Sequence, residues 1–313
     1  MDLGGKRILV TGGAGFLGRA VCARLRADNP AEVIVPRSAT TDLRRVDDCA
    51  RAVRGVDLII HLAARCGGIG ANRARPGEFL HDNAIMGLHL MEAARQAGVA
   101  KFVLVGTCCS YPKHCQTPFR EADLWTGFPE ETNAPYGLAK RLLLAQAQAY
   151  RQQYGFNAIA LIPANLYGPG DCFELDRSHV IPALIRKVVE GRHLGSITLW
   201  GSGRPSRDFL FVEDAADGIV CAAESYDGAD PINLGSGVPT RIIDLAGLIC
   251  RLVGFAGTVR WDATMPDGQP ERWLDIHRAR DLLGWGPTTP LTHGLRQTIA
   301  DFTGDGSFGD SSS

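Results

Sequence analysis

Long apolar runs, an excess of charge of either sign, spaced cysteine pairs and internal repeats are all missing from this sequence. No apolar run reaches the roughly 18 residues needed to span a bilayer. Strand-like sequence begins almost at once, at Arg7-Ile8-Leu9-Val10, and leaves no room for a signal peptide. The 33 Lys and Arg are balanced by 34 Asp and Glu, a net charge of −1. That balance excludes the basic footprint of a nucleic-acid or anionic-membrane surface. The nine cysteines are odd in number, none is spaced as a zinc site, and a chain of this length does not need disulfide staples. They read as reduced thiols of a cytoplasmic protein, most of them small core residues, and no metal site is expected. Low complexity is confined to the Gly, Ser and Asp of residues 304–313, a tail expected to be disordered.

What is present is an alternation of short apolar runs and amphipathic stretches. Arg7–Thr11, Val33–Val35, Asp57–Ala63, Lys101–Gly106 and Ala158–Pro163 read as strands. Phe16–Ala27, with Leu17, Val21 and Leu25 at helical spacing, Ala84–Gln96 and Ala134–Tyr154 read as helices. Strands alternating with helices imply crossover units and a parallel sheet covered on both faces. After about residue 165 the alternation decays. Glycine and proline cluster at Tyr167-Gly168-Pro169-Gly170, Gly201-Ser202-Gly203 and Pro266-Asp267-Gly268, as in a loop-rich domain closing over a ligand.

Between the first strand and the first helix lies Gly12-Gly13-Ala14-Gly15-Phe16-Leu17-Gly18. Gly12 permits a tight turn, Gly15 lets backbone approach a pyrophosphate, and Gly18 lets the helix pack close to the strand. The helix N-terminus then offers free N–H groups and a positive dipole end. The fold expected is α/β, a Rossmann-type doubly wound parallel sheet over residues 1–165. A smaller C-terminal substrate-binding α/β domain is expected over 166–303, with some segments returning to the first. A carboxylate ending the second strand would bind the ribose 2′-hydroxyl. Here the stretch is Val35-Pro36-Arg37-Ser38, and Arg37 could pair with a 2′-phosphate, which favours NADP(H) over NAD(H). Asp42 could contact the adenine or simply cap a helix.

Tyr136 and Lys140 stand four apart near the start of the long helix, on one face, with Asn133 a candidate N-cap and Pro135 in the first turn. A phenol titrates near 10. A nearby ammonium is expected to lower that value and make Tyr136 an acid–base. Lys140 could also hold the nicotinamide ribose. Thr107-Cys108-Cys109 follows the Lys101–Gly106 strand, at the end of the sheet where ligands bind in such folds. Thr107 could hydrogen-bond a substrate carbonyl or serve as a structural hydroxyl. Cys109 could remove a proton next to a ketone, whereas Cys108 suits a buried small residue.

Gly-Thr-Cys-Cys-Ser-Tyr-Pro-Lys (106–113), Asn-Ala-Pro-Tyr-Gly-Leu-Ala-Lys (133–140), Asn-Leu-Tyr-Gly-Pro (165–169), Ser-His-Val-Ile-Pro-Ala-Leu (178–184) and Trp-Gly-Ser-Gly (200–203) resemble GDP-L-fucose synthases. So does His61-Leu62-Ala63-Ala64 followed by Gly67-Gly68-Ile69. That family epimerises carbons 3 and 5 of GDP-4-keto-6-deoxymannose and reduces the carbon-4 ketone with NADPH. The resemblance implies Cys109 as the base, His179 as the acid on the opposite face, and Thr107 with Tyr136 at the ketone oxygen. It implies Leu62, Ala63, Pro163, Asn165, Leu166 and His179 beside the cofactor, and Cys108, Asn165, Lys187, Trp200, Arg207 and Asp267 beside the substrate. Arg207 would clamp the diphosphate. His61 is expected near the cofactor as a structural histidine.

The chain departs from the family in its glycine turn, which lacks the family's arginine. It departs also at Glu271, which would disfavour a diphosphate unless paired, for instance with Arg272. An epimerase of a related nucleotide sugar, with no net reduction and a tightly held cofactor, is the alternative. A homodimer is implied, paired through Ala84–Gln96 and Ala134–Tyr154.

Overall fold

The computed structural model describes residues 1–175, 178–265 and 267–305. The tail beyond residue 305 and Pro266 of the Pro-Asp-Gly segment therefore lie outside the described residues. The chain begins β1 (Arg7–Thr11), α1 (Phe16–Arg26), β2 (Glu32–Ile34), α2 (Val46–Ala52), β3 (Leu58–His61), α3 (Ile69–Ala74), α4 (Pro76–Gln96), β4 (Lys101–Val105), α5 (Ala134–Tyr154), β5 (Ala158–Pro163). It continues β6 (Asn165–Tyr167), α6 (Val180–Glu190), β7 (Ser196–Trp200), β8 (Ser206–Phe211), α7 (Val212–Ser225), β9 (Ile232–Leu234), β10 (Pro239–Arg241), α8 (Ile242–Val253), β11 (Thr258–Asp262), β12 (Glu271–Arg272), α9 (His277–Leu283) and α10 (Leu291–Thr303).

Six strands form one parallel sheet in the order β2-β1-β3-β4-β5-β9. Strands β3, β4 and β5 are buried along their whole length, which is why they read as unbroken apolar runs. Helices α2, α4 and α5 pack together, as do α1, α7 and α9, so two helical layers flank the sheet. The chain order reverses between β1 and β3, and the crevice beyond their carboxyl ends is where open α/β sheets bind ligands. A second core, built from α6, α8, α10 and their strands, includes Ile185, Leu199, Phe209, Leu245 and Leu295. Its strands form a small sheet, β10-β8-β12 with β6 also paired to β8, and a separate β7–β11 pair. This half is more regular than its glycine and proline content suggests. Those residues sit in turns between short elements, as at Gly201 and Gly203 with φ of 78° and 73°. Among the described residues no helix is long and apolar enough to cross a membrane.

The sequence placed the start of α4 too late, at Ala84. Pro76 occupies the first turn, and Asp82 and Asn83 face inward and break the apolar period. Asn83 Nδ2 donates to the carbonyls of Phe79 (2.7 Å) and Arg65 (2.9 Å), and Asp82 pairs with Arg65 at 3.0 Å. Asn133 precedes α5 but does not cap it. Its amide donates instead to Glu130 (3.1 Å) and Thr132 (3.2 Å), while Pro135 holds the first turn as expected. Helix α5 ends at Gly155 in the left-handed conformation, φ 65°.

The glycines of the first turn have separate structural jobs. Gly12 is left-handed, with φ 73°. A Cβ on Gly18 would lie 2.1 Å from the Gly12 oxygen and 2.5 Å from the Gly13 Cα, whereas one on Gly15 would meet nothing closer than 3.2 Å. Gly18→Ala is therefore expected to prise α1 off the turn and cost about 1–3 kcal/mol, with Gly15→Ala nearly neutral for stability. Paired thermal melts check this, and equal midpoints for the two variants would refute the assignment.

Candidate functional site

Beyond the carboxyl ends of β1, β3, β4 and β5 opens a cleft of about 1370 Å³. Sites for one small ligand commonly occupy about 300–1,000 Å³, so this volume accommodates two ligands side by side. Gly12, Ala14, Gly15, Phe16, Leu17 and Gly18 line one end, at the N-terminus of α1, where first-turn amides lack intrahelical partners. Gly13 does not line it: it lies under the turn, where a Cβ would be 2.9 Å from the Val10 oxygen and from Val35. Leu62 and Ala63 close in from β3, Pro163 and Leu166 from β5 and β6. Arg37 also lines this end and makes no side-chain hydrogen bond or ion pair among the described residues. Asp42 lines the cleft too, but its carboxylate accepts from the Arg44 amide (3.1 Å) and guanidinium (2.8 Å). Those bonds hold its carboxyl down at about 2. Asp42 therefore caps no helix, since α2 begins at Val46 after Arg45, but closes a local turn onto Arg44, which the sequence reading overlooked and which stands beside it on the wall. His61 is fully buried behind Thr11, whose hydroxyl is 2.8 Å from Nδ1, and it does not line the cleft. Burial, followed by the Lys140 charge, presses it down to about 3.

At mid-cleft, Thr107, Cys108 and Cys109 form a tight turn after β4. Thr107 Oγ1 accepts from the Cys109 amide at 3.2 Å, so this hydroxyl caps the short 3₁₀ turn Cys108–Ser110 and still faces the cleft. Helix α5 sits directly on that turn. A Cβ on Gly137 would be 2.5 Å from the Cys109 oxygen, Ser110 Oγ donates to Gly137 O at 3.1 Å, and Arg141 Nη1 reaches Gly127 O at 2.7 Å. Tyr136 and Lys140 are thereby placed beside Cys109. Lys140 is buried, and its Nζ donates to Val105 O at 2.8 Å. Burial pulls its ammonium down to about 8.

The phenol does not behave as its spacing from Lys140 implied. Burial first, then the Cys66, Cys109 and Cys108 thiols, raise the Tyr136 phenol well above its ordinary value. Lys140 directs its ammonium to the Val105 carbonyl at the end of β4, and desolvation dominates at the phenol. Cys109 is pushed the other way. A hydrogen bond from Cys108, then the Arg272 guanidinium and the Thr107 hydroxyl, hold its thiol well below the ordinary range against the effect of burial. Cys108, 4 % exposed, is raised by its bond to Cys109 and by burial.

The second core supplies the far wall. Asn165 Nδ2 donates to Asp208 O at 2.8 Å, which leaves its Oδ1 toward Arg272. His179 is exposed at the head of α6. Lys187 lies 5.1 Å from the Trp200 ring centre and donates to Thr198 O at 3.3 Å. Asp267 accepts from the Ser202 amide and hydroxyl, both at 2.7 Å, so its carboxylate latches the Gly201–Gly203 turn. Among the described residues Arg207 bonds only backbone oxygens, Ser206 O at 2.8 Å and Asp267 O at 3.4 Å, and burial brings its guanidinium down to about 10. Apart from Gly13 and His61, every residue expected at the site faces this one cleft. Glu271 and Arg272 do not pair. On the two-residue strand β12 they point opposite ways, Glu271 accepting from Thr117 Oγ1 at 3.1 Å and Arg272 entering the cleft. Sequence reasoning saw Arg272 only as a partner for its neighbour. A strand this short has no periodicity to read.

Residues 8–235 match the model of the NAD dependent epimerase/dehydratase family. The chain is 41% identical to the GDP-L-fucose synthase of Sinorhizobium fredii over 304 residues, covering 96% of each. It is 37% identical to GDP-L-fucose synthase 1 of Arabidopsis thaliana, covering 93% of this chain and 91% of the relative. The crystal structure of a GDP-L-fucose synthetase from Naegleria fowleri bound to NADP superposes with a TM-score of 0.86 at 27% identity, covering 97% of this chain and 96% of that one. The chain belongs to the NAD dependent epimerase/dehydratase family, in its GDP-L-fucose synthase branch.

Proposed function

We propose that this protein epimerises carbons 3 and 5 of a GDP-4-keto-6-deoxyhexose and then reduces its carbon-4 ketone, with NADP(H) preferred to NAD(H). The observation that carries the reading is the meeting of Cys109, His179, Tyr136 and Lys140 in one cleft whose other end is a helix N-terminus. The residues fit a bound dinucleotide. Gly12 and Gly15 leave the first-turn amides of α1 open to a pyrophosphate, and Arg37 stands unpartnered where β2 ends without a carboxylate. The solved Naegleria relative holds NADP. Lys140 would hold the nicotinamide ribose.

Cys109, as thiolate, takes the proton from a carbon beside the ketone. Thr107 and Tyr136 donate hydrogen bonds to the ketone oxygen as it gains charge. His179 returns a proton from the opposite face, which inverts the carbon. One group alone would restore the original configuration. Each then resets by proton exchange with water before the second carbon reacts, which the exposure of His179 permits. When bound, the reduced nicotinamide supplies hydride to carbon 4. Tyr136, held neutral, gives its proton to the carbon-4 oxygen. Arg207 and Lys187 supply the positive charge for a diphosphate, and Trp200, exposed beside Lys187, offers a ring face for base or sugar.

Domain roles follow from the two cores. We take residues 1–165 as the cofactor-binding part and most of 166–303 as the part that receives the nucleotide sugar. We also propose a homodimer built on α4 and α5. These helices pack together within one subunit, with Gly87 against Leu143, yet still expose Leu80, Leu142 and Tyr154. Sedimentation should give a mass near twice 33.6 kDa, and a monomer at micromolar concentration would end that proposal.

Incubated with GDP-4-keto-6-deoxymannose, the protein should oxidise NADPH at least tenfold faster than NADH and release a 4-hydroxy sugar. Deuterium exchange into the sugar without nicotinamide consumption would mark it as an epimerase alone. Cys109→Ser is expected to abolish solvent-deuterium incorporation, a loss of at least a hundredfold, while NADPH binding persists. Tyr136→Phe should cut reduction about a hundredfold and exchange much less. Unchanged exchange in the first variant, or equal losses of both activities in the second, would remove the role assigned to that residue.

A further inference from the structure

Arg272 has no counter-ion of the ordinary kind. Its guanidinium is sunk in the cleft wall, with Nη1 3.5 Å from Cys109 Sγ and Nη2 3.4 Å from Asn165 Oδ1. Its Nε is buried without a hydrogen-bond partner among the described residues. Among those residues no carboxylate forms an ion pair with it: Glu271 turns away to Thr117, and Glu130 acts on it only at longer range. A desolvated guanidinium left without an anion is costly. Among its direct partners only the Cys109 sulfur can carry a negative charge.

We propose that Arg272 and Cys109 form a guanidinium–thiolate pair, in which Arg272 is the positioning residue that keeps the base ionised before substrate arrives. This rests on the reading of Cys109 as the base. Several other groups face the sulfur. The Cys108 thiol and Thr107 hydroxyl come from its own turn, Tyr136 from α5, His179 from the head of α6, and Arg207 from β8. Arg207 and a charged His179 support ionisation, while the nearby carboxylates act on its neighbours, Asp208 on the Cys108 thiol and Glu130 on Arg272 and Arg207. Arg207 stands opposite Arg272 in the β8–β12 register, but its own bonds go to Ser206 O and Asp267 O. Of the cationic groups, only Arg272 has a hydrogen bond to the thiol among the described residues. The pair also explains how a cysteine serves as a base at neutral pH, since a free thiol is ionised only near 8.5.

The test is the pH dependence of Cys109 alkylation by iodoacetamide, followed by peptide mass spectrometry, with Cys109→Ser identifying the signal. The wild-type midpoint is expected at least one pH unit below 8.5. Arg272→Met should raise it by at least one unit, making alkylation about tenfold slower below the wild-type midpoint. Arg272→Lys, which keeps the charge, should hold it within half a unit. A wild-type midpoint near 8.5, an unchanged midpoint in Arg272→Met, or equal shifts in both variants would overturn the pair. The first of these outcomes needs no variant to fold. No sugar enters the assay, so a low midpoint in a protein that fails to exchange deuterium into GDP-4-keto-6-deoxymannose would refute the substrate reading and leave the pair standing.

Discussion

The arrangement of the cleft depends on one buried carboxylate. Asp208, 1 % exposed on β8, accepts hydrogen bonds from the Ser236 amide (2.8 Å) and hydroxyl (2.6 Å) and the Leu274 amide (3.2 Å). Its own backbone oxygen accepts from Asn165 Nδ2. The loop after β9 and the chain after β12 are thus tied to one side chain, and the start of β6 to the backbone of the same residue. Burial raises its pKa even though these donors lower it, a sign of how little solvent reaches the junction. With that junction fixed, β12 runs parallel to β8 with Arg272 opposite Arg207, and both guanidiniums face the thiol turn. Removing the carboxylate would strand several buried donors at once, each costing about 1–3 kcal/mol.

On the other side, rigidity comes from close backbone approach. Gly18 lets α1 rest on the glycine turn, and Gly137 lets α5 rest on the Cys109 carbonyl. Neither contact leaves space for a methyl group. The phenol, the buried ammonium and the two thiols therefore share one block, and their electrostatics follow from its dryness. Burial keeps Tyr136 protonated and presses Lys140 down, while Cys109, alone among them, has a cation at hydrogen-bond distance.

Much of this was legible in the residues, for identifiable reasons. The parallel sheet announced itself because β3, β4 and β5 are buried throughout and, apart from His61 and Lys101 at strand ends, apolar. Gly12, Gly15 and Gly18 and the Tyr136–Lys140 spacing are local signals, each meaningful within one turn of helix. What escaped depended on distant partners. The first turns of α4 hide behind Asp82 and Asn83, whose inward orientation makes sense only once Arg65 and the Phe79 carbonyl are in place. The phenol's high pKa reflects burial that spacing cannot report. Arg272 sits 163 positions from Cys109 along the chain, so no local pattern joins them.

The thiol and the phenol belong to the block anchored on the large sheet, but His179 opens α6, whose inward face packs into the smaller core with Ile181, Leu184 and Ile185. In the proposed reaction, proton acceptor and proton donor are thus carried by different cores. Stereochemical fidelity would then depend on how stiffly those cores are joined: slack at the Asp208 junction would widen the distance from sulfur to imidazole, and a proton given up to sulfur would come back from sulfur.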